Sequence, residues 1–213
     1  MFEPRKSLLE RYGSCGFPRH GPHAKIVPRI GKGWSVLDIG CGVGALGKYL
    51  KETLECYLVG IEVDRDAALS AKTFYDEIII ADIEKMPMAG SSAGRFNMVV
   101  MADVLEHLRR PDILLIELRQ CIRPGYIIAS IPNIGRIEVR AKLLFGRFEY
   151  QEVGIMDRTH LRFFTLRTAK ELFNKSGYRV IGIDYTGLAS RHYLFRIFPS
   201  LFAYQFIIMA EPI

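Results

Sequence analysis

Cysteine is scarce in this chain of 213 residues, and its four cysteines (Cys15, Cys41, Cys56, Cys121) never fall at Cys-x-x-Cys spacing. That spacing removes a zinc ribbon and a disulfide framework from consideration and suits a reducing cytoplasm. No Gly/Ser-rich stretch, repeat or low-complexity block interrupts the sequence. Nothing therefore marks a boundary, and the length suits one well-packed domain, 1–213. A long apolar run is also missing. The most apolar segment, Tyr193 to Met209, is broken by Arg196, Pro199-Ser200 and Gln205, short of the ~20 residues that a spanning helix needs. It reads instead as a loop or short helix through Phe198, then a buried final strand from about Phe202 to Ala210. The apolar and basic mix of Arg191 to Phe198 would suit peripheral contact with a bilayer surface. At the start, Glu3, Arg5, Lys6 and Glu10 stand where a signal peptide would be apolar. Finally, the net charge of +6 is not gathered into a Lys/Arg run interleaved with aromatics. This argues against a nucleic-acid track and leaves room for an anionic substrate or partner.

What is present is concentrated in Val36-Leu37-Asp38-Ile39-Gly40-Cys41-Gly42-Val43-Gly44. An apolar run that ends in alternating glycines reads as a buried strand, a sharp turn and the start of a helix at Ala45. The glycines let the backbone turn tightly and let a ligand lie against bare main chain. Gly42-x-Gly44-x-x-Gly47 also satisfies the dinucleotide pattern, so the loop alone leaves NAD open. Asp38 favours another ligand, because an ionised acid here repels a pyrophosphate and holds a cationic amine. S-adenosylmethionine carries such an amine and a sulfonium, and no phosphate. From these residues the chain resembles the class I S-adenosylmethionine-dependent methyltransferases, whose first motif is Asp-x-Gly-x-Gly-x-Gly.

Two more acids extend the pattern. Tyr57 to Ile61 reads as a second strand with Glu62 at its end, 22 residues after Gly40, where a carboxylate can accept both ribose hydroxyls. Ile78 to Ala81 reads as a third, ended by Asp82. Acids at three successive parallel strand ends face one edge of a sheet and form one site. The resemblance implies that Asp38, Gly40, Gly42 and Gly44 hold the methionine end of the cofactor, Glu62 the ribose and Asp82 the adenine, with the Ile83 backbone against the ring. Cys41, Val63, Ala102 and Asp103 complete the cofactor-binding set that it implies.

Further along, 96–101 reads as strand four and 110–121 as a helix with Pro111 at its start. Strand five covers 126–131, Thr165 caps a helix that Gly177 ends, and strand six runs from Tyr178 to Asp184. Strands alternating with helices demand right-handed crossovers and a mostly parallel sheet covered on both faces. The fold expected is α/β, Rossmann-like and doubly wound, with three α/β/α layers. The resemblance adds seven strands and an antiparallel last one. An irregular insertion at about 132–164 is expected to cover the substrate, with amphipathic 137–145 either as a lid or as a plain covering helix.

Methyl transfer is an in-line displacement, so holding the acceptor atom aligned is the main task. A hydroxyl acceptor also needs a base near neutral pKa. His107, in Asp103-Val104-Leu105-Glu106-His107, and His160, in Asp157-Arg158-Thr159-His160, are the two candidates. Asp103, Glu106, His107 and His160 could instead form a metal site. The pattern is similar to the Glu-x-x-Glu-His plus later histidine of small-RNA 2′-O-methyltransferases and resembles the ubiquinone-pathway O-methyltransferases. Asp103 is shorter than the glutamate it replaces, and a carboxylate–imidazole set suits Mn²⁺, Fe²⁺ or Zn²⁺ better than Mg²⁺. The plainer alternative has Asp103 and Glu106 capping the next helix. Ala129 to Arg136 and Leu143 to Arg147 look like MetW-type proteins. The function expected is methyl transfer from S-adenosylmethionine to a small-molecule, hydroxyl-bearing acceptor. A MetW-like partner protein without independent catalysis and an RNA methyltransferase stand as alternatives.

Overall fold

The computed structural model describes residues 21–88, 94–122, 124–187 and 197–213. Expectations for the first residues, for part of the loop before strand four and for 191–196 lie outside the described residues. The strands are β1 Ser35–Ile39, β2 Tyr57–Glu62, β3 Glu77–Ile80, β4 Met98–Ala102, β5 Tyr126–Pro132, β6 Tyr178–Tyr185 and β7 Gln205–Pro212. Between them lie helices α1 Pro22–Ile26, α2 Ala45–Leu54, α3 Arg65–Ala71, α4 Pro111–Leu118, α5 Ile137–Leu144, α6 Leu166–Lys175 and α7 Pro199–Phe202. The sheet order is β3-β2-β1-β4-β5-β7-β6. β1 to β5 pair in parallel, and β7 runs antiparallel to both β5 and β6. This is the expected seven-stranded sheet, with the antiparallel strand inserted one place in from the edge.

β1 shows how the layers form. Val36 faces a buried cluster with Ile26, Leu50 and Leu58, while Leu37 and Ile39 face another with Leu115, Phe173 and Phe206. Burial of each large apolar side chain stabilises by roughly 1.5–3 kcal/mol. That outweighs capping here, since α2 and α4 have no side-chain cap at all. Two helices do carry a side-chain cap: Asp64 Oδ1 accepts Asp66 N and Ala67 N at 3.0 Å each at the start of α3, and α6 has the other. Thr165 accepts from Thr168 N at 3.3 Å, and Thr168 Oγ1 accepts from Thr165 N at 2.9 Å, a capping box closed by threonine. Gly177 follows with φ +80°, as a C′ residue does.

Boundaries shift where side chains replace ladder bonds. β4 starts at Met98 rather than at Phe96, because Asn97 Oδ1 takes the Ser35 N–H at 3.0 Å. β7 starts at Gln205, since Pro199–Phe202 forms α7. Among the described residues no helix is long and apolar enough to cross a membrane. After β3 the chain returns past β1 to build β4. The carboxyl ends of β1 and β4 therefore part, and an open α/β sheet keeps its ligand crevice there.

Candidate functional site

A cavity of about 1680 Å³ opens at that switch point, larger than most sites for one small ligand. Gly40, Gly42 and Gly44 all have positive φ (71°, 54° and 85°). A Cβ at Gly42 would meet nothing within 4 Å, so its bare backbone faces open space. Asp38, Gly40, Cys41, Gly42, Glu62, Val63, Asp82, Ile83, Ala102 and Asp103 all line the cavity. Gly44 does not. A Cβ there would lie 2.9 Å from the Ala71 Cα, so this glycine serves packing of the turn on α3. Gly47 has a similar task, because a Cβ would lie 2.2 Å from the Tyr75 ring. The third glycine of the dinucleotide-like pattern thus makes room for a tyrosine.

That tyrosine explains Asp38. Buried at the end of β1, Asp38 accepts the Tyr75 hydroxyl at 2.5 Å. Burial pushes its pKa from 3.8 to about 7, against the Tyr75 hydrogen bond and with help from nearby Glu62. No cation pairs with Asp38 or Glu62 among the described residues. An acidic, buried, uncompensated site under bare glycine backbone fits an ammonium-bearing ligand and rejects a pyrophosphate.

Glu62 is more committed than its position at the end of β2 suggests. Oε2 accepts Gly42 N at 2.9 Å, and Oε1 accepts Val63 N at 2.8 Å and Asp64 N at 2.9 Å. A carboxylate offers about four lone-pair positions, so roughly one remains for a ribose hydroxyl. A bidentate grip on the ribose therefore requires a backbone bond to be released. Replacing Glu62 by Ala is expected to lower stability by about 1–3 kcal/mol along with cofactor affinity, because three N–H donors lose their acceptor. Thermal melts beside titration with S-adenosylhomocysteine check this. A fall in affinity with unchanged stability would show that the glycine loop does not depend on the carboxylate. Asp82 lies beyond β3, half-exposed, accepting Glu84 N at 3.1 Å and pairing with Lys85 at 2.8 Å. The Lys85 hydrogen bond holds its carboxyl below the usual range. Burial raises the pKa of the Cys41 thiol, which makes it inert as a nucleophile.

The other half of the cavity carries the histidines. Leu105–His107 forms a 3-10 turn after β4, and the chain at 153–161 comes back over it, tied by Leu161 N and Arg162 N to the Glu106 carbonyl at 2.8 and 3.0 Å. Thr159 Oγ1 donates to Asp157 Oδ1 at 2.6 Å, so towards His107 Nδ1, 3.2 Å away, it acts as acceptor. The Thr159 carbonyl lies 3.3 Å from the same nitrogen. His160 Nδ1 sits 3.1 Å from the Ile155 carbonyl. Both rings therefore carry the proton on Nδ1 and present an Nε2 lone pair. The rings meet edge to face at 4.8 Å. Burial, then the neighbouring His107 ring, lowers the His160 pKa, which favours its neutral form.

Glu106 completes this group. It is 1 % exposed, and neither carboxylate oxygen has a hydrogen-bond partner among the described residues. Burial, then Asp103, raises its pKa well above the usual value. One ligand atom each from Glu106, His107 and His160 lies within 4.8 Å of the others, and an orphaned buried carboxyl beside two imidazole lone pairs fits a divalent ion. Asp103, expected from its place in the motif to join this set, stands apart. Its Oδ1 accepts the Ser130 hydroxyl at 2.5 Å and Gln205 Nε2 at 2.7 Å, which hold it at φ +57°. Nor do Asp103 and Glu106 cap the next helix. Glu84 accepts Arg109 N at 2.8 Å and Arg110 N at 2.9 Å instead.

Of the insertion at 132–164, Val153 to Leu161 contributes to the cavity wall while α5 does not. Sequence reading missed Tyr75, Glu84, Gln205 and also His23. His23 lines the cavity from α1, its pKa lowered by burial against the raising pull of Asp103. It lies in a short helix with no motif around it.

Comparison with known proteins agrees with this geometry. The profile of a family described as a methyltransferase domain matches residues 18–183. A ubiquinone biosynthesis O-methyltransferase from Psychrobacter arcticus is 24 % identical over 202 residues, covering 89 % of this chain and 77 % of that one. A methyltransferase from Archaeoglobus fulgidus superposes with a TM-score of 0.65 at 19 % identity, covering 88 % of this chain and 90 % of the other. The magnesium protoporphyrin IX methyltransferase of Synechocystis gives 0.62 at 16 % identity, with 90 % and 80 % covered. These structural likenesses share the fold. The profile covers most of the chain and coincides with the glycine loop, the strand-end acids and the histidine pair, so the chain belongs to the methyltransferase domain family as a class I S-adenosylmethionine-dependent methyltransferase.

Proposed function

We propose that this enzyme methylates a hydroxyl oxygen of a small-molecule acceptor bound beside His107 and His160. The observation that carries this reading is the cluster of Glu106, His107 and His160, with one ligand atom of each within 4.8 Å of the others and the Glu106 carboxyl orphaned, in the cavity that the glycine loop also lines. When bound, S-adenosylmethionine supplies a methyl carbon on a cationic sulfur. Asp38 takes the ammonium of its methionine end, the Gly40–Gly42 backbone lies against that end, Glu62 takes one ribose hydroxyl, and Asp82 with Ile83 meets the adenine. His160 Nε2 accepts the proton of the acceptor hydroxyl while its Nδ1–H stays on the Ile155 carbonyl, which fixes the ring. With the proton held on His160, the acceptor oxygen would take the methyl group that bound S-adenosylmethionine would supply, and the cofactor's sulfur would be left neutral.

The orphaned carboxyl supports a second reading of the same site. Glu106, His107 and His160 would hold a divalent ion, which would lower the pKa of a hydroxyl near it. The ubiquinone-pathway relative belongs to a class that acts on hydroxyls, in keeping with either form.

The test is release of S-adenosylhomocysteine from S-adenosylmethionine, with catechol-type acceptors and transfer RNA in parallel, each with added Mn²⁺ and with a chelator. Turnover with the small hydroxylated acceptor alone is the expected result. Methyl transfer to RNA would replace the acceptor class. Cofactor binding without turnover on either would favour a partner protein that keeps the fold.

A further inference from the structure

We propose that the tip formed by the end of α5 and the loop after it docks on an anionic lipid bilayer. Residues 140–153 are exposed without interruption. Within them Leu144 and Phe145 are 82 % and 78 % exposed, with Leu143 and Phe148 roughly half so. This is not a frayed helix end. Gly146 N donates to the Leu143 carbonyl at 2.9 Å and Arg147 N to the Lys142 carbonyl at 2.9 Å, with Gly146 at φ +70°. Those two bonds make a Schellman turn, which normally closes on an apolar contact between its two ends. Here the ends are Lys142 and Arg147, so the turn cannot bury its own apolar residues. It holds Leu144 and Phe145 in water instead. The base of α5 is anchored, with Val139 packed on Ile155 and Met156, and Arg140 Nε on the Gly135 carbonyl at 2.6 Å. The apolar tip is therefore presented by a fixed support.

Charge selects the occupant. From Val139 to Phe148 the chain carries Arg140, Lys142 and Arg147 and no carboxylate; Glu149 and Glu152 follow nearer the cavity, the latter paired with Arg158. None of the three makes an ion pair among the described residues. A second copy docked across a two-fold axis would set these cations against themselves. An anionic bilayer accepts both features: the cations attract its headgroups, and two large apolar side chains enter the acyl boundary. The tip leads through exposed Val153 to the cavity wall, where Leu161 is exposed as well. On the acceptor reading above, this rim would receive a hydroxylated amphiphile from the membrane.

Co-sedimentation with vesicles tests the docking independently of any acceptor. One set is phosphatidylcholine alone, and the other is phosphatidylcholine mixed with phosphatidylglycerol, each at low and high salt. Binding to the mixed vesicles alone, weakened by salt, is expected. The Leu144→Gln, Phe145→Gln double variant and the Lys142→Gln, Arg147→Gln double variant should each partition about tenfold less. Both should bind S-adenosylhomocysteine as the parent does, which reports an intact fold. No binding to either vesicle, or binding by either variant as strong as the parent's, overturns the proposal. So does a concentration-dependent dimer that the Leu144/Phe145 variant abolishes, since the face would then belong to a second copy.

Discussion

An Asp38→Asn variant is expected to melt above the parent at pH 8 and yet to bind S-adenosylhomocysteine about 10- to 150-fold more weakly. The two effects share one cause. The Asp38 carboxyl is buried, accepts from the Tyr75 hydroxyl, lies near the Glu62 carboxylate, and has its pKa raised from 3.8 to about 7. An acid raised on folding holds its proton in the folded state where the unfolded chain has released it. Stability is therefore full below pH 3.8, falls as pH rises towards 7, and stays reduced above that. The shift is worth roughly 3–5 kcal/mol at most. Asparagine removes that cost and still accepts from Tyr75. Melting curves of the two proteins should coincide near pH 4 and separate by several degrees at pH 8.

Binding runs the other way. A ligand ammonium requires the ionised carboxylate, so parent affinity should drop about tenfold per pH unit below 7 as Asp38 takes up its proton. Asparagine lacks the charge-assisted bond, worth about 1.5–3 kcal/mol, so it binds more weakly than the parent above pH 7 and the two converge as pH falls. Calorimetry across pH, in buffers of different ionisation heat, reads both the affinity and the released proton. A variant that binds as tightly as the parent, or that melts lower at pH 8, would remove Asp38 from the amine site.

The acids and glycines of this half of the site were legible because a parallel sheet sends every strand end to one edge. An acid after an apolar run is then already located in space. Tyr75 was not legible, because it reaches Asp38 across 37 positions and only the missing Cβ of Gly47 admits it. Gln205 meets Asp103 across 102 positions, through the antiparallel strand that alone brings it there. The histidine pair lay between these extremes. Its motifs were visible, but which members converge depends on how 153–161 folds back onto the 3-10 turn, and that segment has no period to read. The same limit explains α5, whose amphipathic pattern named a buried side without saying what it would pack on. It packs on Ile155 and Met156 and leaves the cavity to the loop that follows.

Replacing His160 by Ala should reduce turnover by roughly 10²–10⁴-fold while S-adenosylhomocysteine binds almost unchanged, because the ring sits in the half of the cavity away from the glycine loop. An equal loss of binding and turnover would instead assign the ring to folding, through its bond to the Ile155 carbonyl. Glu106→Gln then separates the two forms of the proposed mechanism. The Glu106 carboxyl is buried without a partner among the described residues, and burial, then Asp103, raises its pKa, which favours the neutral acid. Glutamine is close in shape to that neutral acid. If His160 works as a base without an ion, the variant keeps most of its turnover and melts no lower than the parent. If the three side chains hold an ion, glutamine gives up the one anionic ligand among two neutral ones. Turnover then falls with that of His160→Ala, and the Mn²⁺-dependent rise in melting temperature shown by the parent disappears from both variants. A chelator would silence the parent only in the second case. The unpaired carboxyl is thus a cost that folding alone does not explain, and its substitution decides whether the cost serves an ion or merely accompanies a well-placed imidazole.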